Sequence, residues 1–266
     1  MNIAYIVGLV LSFVFILLGM LGFPKISFDK LMNFVDMPSV LIVVGCTFAV
    51  VAASMPTSVL LAIPKHLGMV LNTKMYNPMN YIDQLTEVAN KARKDGLLSL
   101  EGMAAEQSDP FFKSAIMLLV DGNDAERVRT VLETDIEQMA ARHDSGAALY
   151  DKASAMAPAF GMVGTLCGLI NMCKGLNMSD GSSSLGDDMG TAMITTMYGC
   201  MLAHMVFGPI GTHLRTRGEE EILCKQIVVE GITGIQAGEN PKFLRERLLT
   251  FVSQKQRAAG GGGGEE

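Results

Sequence analysis

Ala157-Pro158-Ala159-Phe160-Gly161-Met162-Val163-Gly164-Thr165-Leu166-Cys167-Gly168-Leu169 lies inside a run, Ala153 to Cys173, that carries no charged side chain. Gly161, Gly164 and Gly168 remove side chains from one helix flank, and Gly164 with Gly168 forms a GxxxG pair that lets a second backbone approach closely inside a membrane. That pattern alone describes a helix-packing seam. Here the seam also holds Pro158, which deletes one backbone hydrogen bond, and Thr165, which puts a hydroxyl at membrane depth. A freed carbonyl and a hydroxyl on a close-packing face are the groups a cation path through protein uses.

Working outward, Met1 to Pro24, Met37 to Pro64 and Met189 to Leu214 are likewise free of charge, while the stretches between them are densely charged. Each run can cover the ~20 residues a helix needs to cross the hydrocarbon core. With 49% apolar and only 18% charged residues, the chain reads as an all-α integral membrane protein with four transmembrane helices. The first run lacks the basic start and small-residue cleavage site of a signal peptide and is expected to stay as an anchor. Lys65, Lys74, Arg142, Lys152, Arg215, Arg217 and Lys225 fall on one side of the spans, against Lys25, Lys30 and Lys174 on the other. Positive charge is retained inside, so the first side is cytoplasmic. The expected order is a transmembrane hairpin over 1–65, a helical cytoplasmic insert over 66–152, a second hairpin over 153–214, a cytoplasmic helical tail over 215–257 and a disordered glycine-rich end over 258–266. Both termini lie inside the cell, and loops near 25–36 and 174–188 face out.

Within the insert, Ile82, Leu85, Val88, Ala89 and Ala92 make an apolar helix face, and Ser108-Asp109-Pro110 offers an N-cap with proline at the first helical position. That second helix should stop near Gly122. Val128, Val131, Leu132, Ile136 and Met139 form another stripe, and no proline intervenes between Asp124 and Pro158, which predicts one long helix running into the third span. After the fourth span Arg215 to Val229 is helical, Gly231, Gly234 and Gly238 weaken the helix beyond it, and Asn240-Pro241 starts a last short helix through Leu249.

Several classes fall away. A net charge of -6 without a basic, aromatic-studded stripe excludes nucleic acid as a partner. Cys46, Cys167, Cys173, Cys200 and Cys224 form no C-x-x-C pair and read as small apolar packers, with neither disulfide nor metal implied. No nucleophile with a base, metal-ligand spacing or phosphate loop points to an enzyme, and no cofactor is expected. The fourth span supplies Thr195-Thr196-Met197-Tyr198-Gly199, then His204 and Phe207-Gly208-Pro209. Adjacent threonines sit ~100° apart on a helix, so one can face a path while the other bonds its own backbone. No span contains Asp, Glu, Lys or Arg, and His204 is the only candidate in a core span for the ionisable group an ion path needs. An ion path here must borrow its carboxylate from another polypeptide. The segment Asn90 to Glu101, with Arg93, Lys94 and Glu101, reads from its composition as a solvated charged surface.

Taken together, the Ala92 to Glu101 segment, the Ala157 to Leu169 motif, the Thr-Thr-x-Tyr-Gly run and Gly234-Ile235-Gln236-Ala237-Gly238-Glu239-Asn240-Pro241 resemble, in order and spacing, the MotA/PomA family of flagellar stator A subunits. The resemblance implies a homopentamer around a dimer of MotB/PomB-type B subunits in the bacterial inner membrane. Each B subunit brings one transmembrane helix with an aspartate, which supplies the missing carboxylate. It also implies that Arg93 and Glu101, with Lys94, engage the rotor protein FliG. By the same resemblance Pro158 and Pro209 couple ion passage to movement, and Thr165 and Thr196 lie near the partner aspartate. The transported ion is H+ or Na+, with Thr165 tilting toward Na+. A rival resemblance is to ExbB/TolQ proteins, which share Gly-x-x-Gly-Thr-x-x-Gly but have a three-span layout. A partner-free transporter using His204, His213 and the threonines is a further alternative.

Overall fold

The computed structural model describes residues 3–23, 29–71, 76–175 and 184–260, and every regular element among them is helical. In chain order these are α1 (Ile3–Leu21), α2 (Met37–Ser54), α3 (Pro78–Asp95), α4 (Pro110–Val120), α5 (Ala125–Gly175), α6 (Leu185–Gln236), α7 (Pro241–Leu249) and α8 (Gln254–Gly260). Shorter turns occupy Asp29–Met32, Thr57–Leu61, Ile63–Leu71, Leu97–Leu100 and Glu101–Glu106. The long uninterrupted helix expected from Asp124 onward is α5, 51 residues with Pro158 inside it. Residues 258–260, assigned by sequence to the glycine-rich end, complete α8, and 261–266 lie outside the described residues. So do 24–28 and 176–183, which fall in the expected outward loops.

The chain divides into two compact units, Met1–Lys74 with Asp144–Arg215 and Met75–His143 with Thr216–Glu266. In the first, α2, α5 and α6 are long and apolar enough to cross a membrane, and the apolar stretch of α1 described in full, Val7–Leu21, is shorter. Its outward side chains are large and apolar: Phe15 is 66% exposed, Leu41 66% and Met162 62%. Water tolerates such a surface poorly, whereas lipid matches it. The inside mixes small and large residues, with Val51, Ala153, Ala157 and Ala203 buried together with Leu149, Tyr150, Phe207 and Ile210. Thr47 is also buried, and its hydroxyl bonds the Val43 carbonyl one turn back at 2.5 Å, which satisfies that hydroxyl within its own helix. At the start of α2 the Asp36 carboxylate accepts from the Ser39 N–H at 2.9 Å and from the Ser39 hydroxyl, while Pro38 occupies the first turn.

The second unit packs α3 and α4 against the first part of α5, the last part of α6, and α7. Ile82, Leu85, Phe112, Ile116, Ile232 and Leu244 are essentially inaccessible. Asp109 caps α4 as expected, accepting from the Phe111 N–H at 2.9 Å, and its other oxygen accepts from the Tyr81 hydroxyl at 2.7 Å. Burial, then that hydrogen bond and the Asp109 charge, push the Tyr81 phenol well above its ordinary range. Asn240 caps α7 in the same way, accepting from the Lys242 N–H at 3.1 Å. Val131 departs from the expected stripe: it is 47% exposed, while Val128, Leu132, Ile136 and Met139 are buried. The buried face follows the three- and four-residue spacing, and Val131 lies one position off it.

Gly231 and Gly234, expected to weaken the helix, instead sit inside α6, which continues to Gln236. They are close-approach positions. A Cβ at Gly231 would lie 2.6 Å from Leu85 Cδ1, and one at Gly234 2.6 Å from Arg247 Nη2. The Arg247 guanidinium there donates to the Glu230 carbonyl and to Glu239, both at 2.9 Å. Gly231→Val is therefore expected to destabilise this unit by about 2 kcal/mol through overpacking. Cys224 provides the readout. It is 1% exposed, and burial, followed by Glu220, Asp109 and Glu221, pushes its thiol up to about 12. Alkylation at pH 8 should be slow in the native protein and roughly tenfold or more faster in the variant, because opening exposes a thiol of ordinary acidity. An unchanged rate would show that Leu85 can move aside.

Candidate ion-path seam and exposed charged turn

α5 and α6 meet along a line of missing side chains. A Cβ added to Gly161 would lie 3.1 Å from the Thr195 carbonyl oxygen, one on Gly164 2.6 Å from Thr195 Cβ, and one on Gly168 2.5 Å from the Asp188 carbonyl oxygen. From the opposite side, a Cβ on Gly199 would come within 2.7 Å of the Ala157 carbonyl oxygen. The two backbones are thus as close as glycine permits, and the contact is reciprocal. Sequence reasoning centred on α5 misses Gly199 as part of the seam. Its position four residues after Thr195, on the same helix face, is the signal that identifies it.

The two threonines of α6 take opposite parts. Thr195 is fully buried beneath Gly164, and its hydroxyl lies 2.9 Å from the Thr191 carbonyl and 3.0 Å from the Ala192 carbonyl of its own helix. The sequence makes Thr195, alongside Thr196, a candidate for the ion path, and the structure places it in the packing seam. The reason is the helical offset: with Thr196 turned to the accessible side, its predecessor must face α5. Thr196 is exposed, and its Oγ1 is 2.5 Å from Thr165 Oγ1, while Thr165 Oγ1 also lies 3.0 Å from the Ala192 carbonyl and 3.1 Å from the Gly161 carbonyl. A hydroxyl has one proton to give and two lone pairs to offer. Either hydroxyl can donate across the pair, and when Thr165 gives its proton to the Ala192 or Gly161 carbonyl, Thr196 gives its own to Thr165. The Thr196 oxygen is then left at an accessible face with acceptor capacity to spare. Such an oxygen can coordinate a cation or accept a hydrogen bond from a protonated carboxyl.

Further along the seam both helices are loosened at one level. Pro158 has no N–H to offer the Ser154 carbonyl a turn back. The side chain of the same residue, the Ser154 hydroxyl, donates across to the Ala203 carbonyl of α6 at 3.0 Å. That carbonyl also accepts from the N–H of Gly208, five residues on, which closes a π-helical turn over Leu202–Phe207. Pro209 comes immediately after. It cannot bond the Met205 carbonyl, and a wide turn relieves the clash its ring would make in a regular α-helix. Ser154 has no evident role in the sequence; its place four residues before Pro158 is the clue. His204 lies exposed on the wide turn and takes no part in the hydrogen bonds of the threonine pair.

Arg93 and Lys94 occupy the last turn of α3, which ends at Gly96 with φ +82°. Only glycine adopts that conformation without strain. A tight turn, Leu97–Leu100, buries Leu100 and leads straight into Glu101. Arg93, Lys94 and Glu101 are all exposed, and none joins an ion pair within the described residues. This turn thus presents both signs of charge to solvent. Among the described residues no cluster of His, Cys, Asp and Glu is arranged to hold a metal.

Residues 103–227 match the MotA/TolQ/ExbB proton channel family. The chain is 39% identical over 258 residues to Motility protein A of Borreliella burgdorferi, with 97% of this chain and 96% of that protein covered. It is 36% identical over 258 residues to the Chemotaxis protein PomA of Vibrio alginolyticus, covering 97% and 98% of the two chains. The flagellar MotAB stator complex from Bacillus subtilis contains a chain of similar structure, with a TM-score of 0.84, 27% identity and coverage of 96% and 97%.

Proposed function

Because this chain belongs to the family of motility protein A and PomA within the MotA/TolQ/ExbB proton channel group, we infer that it is the A-type stator subunit of a flagellar motor. It is a helical membrane protein that acts in an ion-channel-type complex. The ExbB/TolQ alternative has less support, since the near-full-length relatives are motility proteins.

In this reading the four charge-free runs form four spans in the bacterial inner membrane, with the insert and both termini in the cytoplasm. The stator comparison supports a B-subunit partner. A ring of A subunits, five by family resemblance, surrounds a dimer of B subunits whose helix aspartate provides the carboxylate this chain lacks. The observation that carries the ion path is the accessible Thr196 oxygen paired with Thr165 in a glycine-tight seam. When H+ or Na+ neutralises the aspartate, the carboxyl meets an acceptor at Thr196 and can leave for the next subunit. Each charge crossing the membrane supplies roughly 2.3 kcal/mol per 100 mV, enough to favour one of two packed states separated by a few kcal/mol. The loosened turns at Pro158 and Pro209 are where that energy bends helices, and the charged turn at Arg93, Lys94 and Glu101 passes the motion to FliG.

The test is a stator-deleted strain given this chain and its B subunit, with swimming speed measured across sodium concentration and pH. Restored swimming whose speed tracks one ion names that ion, and failure to swim under every condition would overturn the assignment. In the same strain Thr196→Val is expected to lower swimming speed severalfold with normal assembly, because the methyl cannot accept a hydrogen bond. Thr165→Val should slow it less, since Thr196 can then donate to Ala192. Equal speeds for both variants and the parent in sodium and proton-only media would remove these hydroxyls from the path.

A further inference from the structure

Within the first unit, α6 turns three faces to its surroundings. One follows Thr195, Gly199 and Ala203: Thr195 and Ala203 are inaccessible, a Cβ on Gly199 would meet the Ala157 carbonyl, and the Ala203 carbonyl accepts from Ser154, so this line is taken up by α5. A second meets the first hairpin, where the Tyr198 hydroxyl donates to the Phe34 carbonyl ahead of α2. The third runs through Thr196, Cys200 and His204, each one position past a residue of the seam line and so ~100° around the axis from it. All three are exposed, which means the chain itself leaves this face open.

His204 lies inside the charge-free run 189–214. An ionisable side chain at membrane depth faces a bundle interior or a water-filled passage, because lipid solvates it poorly. Nothing in its own subunit calls for it. Among the described residues His204 makes no hydrogen bond or ion pair, and α1, α2 and the charge-free part of α5 bring no Asp, Glu, Lys or Arg toward it. The other titratable side chains in these packed segments are Cys46 of α2, Cys167 of α5, and Cys200 and Tyr198 of α6, with the Asp151–Arg215 pair beyond them at the end of the unit. A neutral imidazole keeps one nitrogen lone pair available. It also sits on the wide turn Leu202–Phe207, a distortion that recurs at functional sites.

We propose that His204 is a second ion ligand on the path that begins at Thr196, its imidazole lone pair receiving H+ or Na+ about 12 Å nearer the cytoplasm. The proposal rests on the stator reading above, which makes the Thr196 face the path and sets α6 running inward. The lone pair bonds the ion as the partner carboxylate releases it, and water on the cytoplasmic side takes the ion away. The imidazole ends as it began.

The experiment uses the stator-deleted strain carrying this chain and its B subunit. His204→Leu removes the lone pair, and swimming speed is expected to fall at least fivefold at unchanged membrane abundance. His204→Gln keeps an acceptor oxygen but cannot carry a proton near neutral pH. It should swim no faster than the leucine variant where the parent's speed tracks pH, and keep at least half the parental speed where the parent's speed tracks sodium. Parental speed of His204→Leu at every pH and sodium concentration, or of His204→Gln in a pH-tracking motor, would overturn the proposal and leave the stator reading standing. A parent chain that never swims would overturn that reading and this site with it. A second measurement needs no variant to fold: a positively charged, water-soluble thiosulfonate should modify Cys200 in the parent complex, as mapped by mass spectrometry. Modification of Cys200 by N-ethylmaleimide but not by the charged reagent would put this face in lipid and overturn the proposal.

Discussion

Gly164→Ala is expected to abolish swimming and to cut the yield of assembled complex at least tenfold. The new methyl would lie 2.6 Å from Thr195 Cβ, a separation real side chains do not reach. The clash cannot be relieved by sliding α5 along α6, because Gly161 and Gly168 hold the same helices at 3.1 Å and 2.5 Å by the same measure. Nor can Thr195 rotate away freely, since it is fully buried. Overpacking costs about 1–3 kcal/mol where neighbours can adjust, and here the upper end applies, roughly a hundredfold in an equilibrium. The decisive companion is Gly164→Ala with Thr195→Gly, which moves the missing side chain from one helix to the other. Swimming in soft agar should return to at least half the parental rate. If the single variant swims normally, the two backbones are not in contact at this point.

Arg93→Glu and Glu101→Lys are expected each to reduce swimming at least tenfold while leaving the protein as stable as the parent. Neither side chain forms an ion pair within the described residues, and both are exposed. Surface substitutions of this kind usually change stability by no more than about 0.5 kcal/mol. The loss must then come from contact with another molecule, where like charges brought together cost far more than they do in water. Membrane abundance and thermal melting should be unchanged, and charge reversals on FliG opposite each position should restore swimming. Normal swimming in each of the two single variants would remove this turn from the rotor contact. By contrast Gly96→Ala should act through the fold, because a φ of +82° is strained for any residue with a Cβ.

Much of this architecture is legible in the sequence because the physics behind it is local. A span needs a charge-free run, a buried helix face needs three- and four-residue spacing, and a cap needs a side-chain oxygen before a proline. Asp109, Asn240 and the stripe through Ile82 and Leu85 obey those rules. The division of labour between Thr195 and Thr196 is also within reach, since the helix forces them apart, but which one turns inward depends on where α5 lies. Val131 and Gly231 depart from expectation for the same reason. A valine near an apolar stripe and a glycine in a helix have preferences of their own, and the neighbouring helix decides. Ser154 and Gly199 leave only a spacing clue, because their significance is a carbonyl on another helix. A serine that crosses to a distant backbone oxygen looks in sequence like one that bonds its own turn.

The π turn at Leu202–Phe207 also changes how the fourth charge-free run must be counted. One surplus residue in a turn advances everything after it by about 100° around the axis compared with a regular helix. A helical wheel drawn through Thr195 and Thr196 therefore cannot be continued to Thr212, His213 or Arg215, although no break in the helix gives warning. Aligning shorter or longer relatives here by hydropathy alone would misassign the faces beyond Pro209. Deleting a single residue between 202 and 207 would leave the composition of the run nearly intact and yet turn Arg215 away from Asp151, its partner at 2.6 Å.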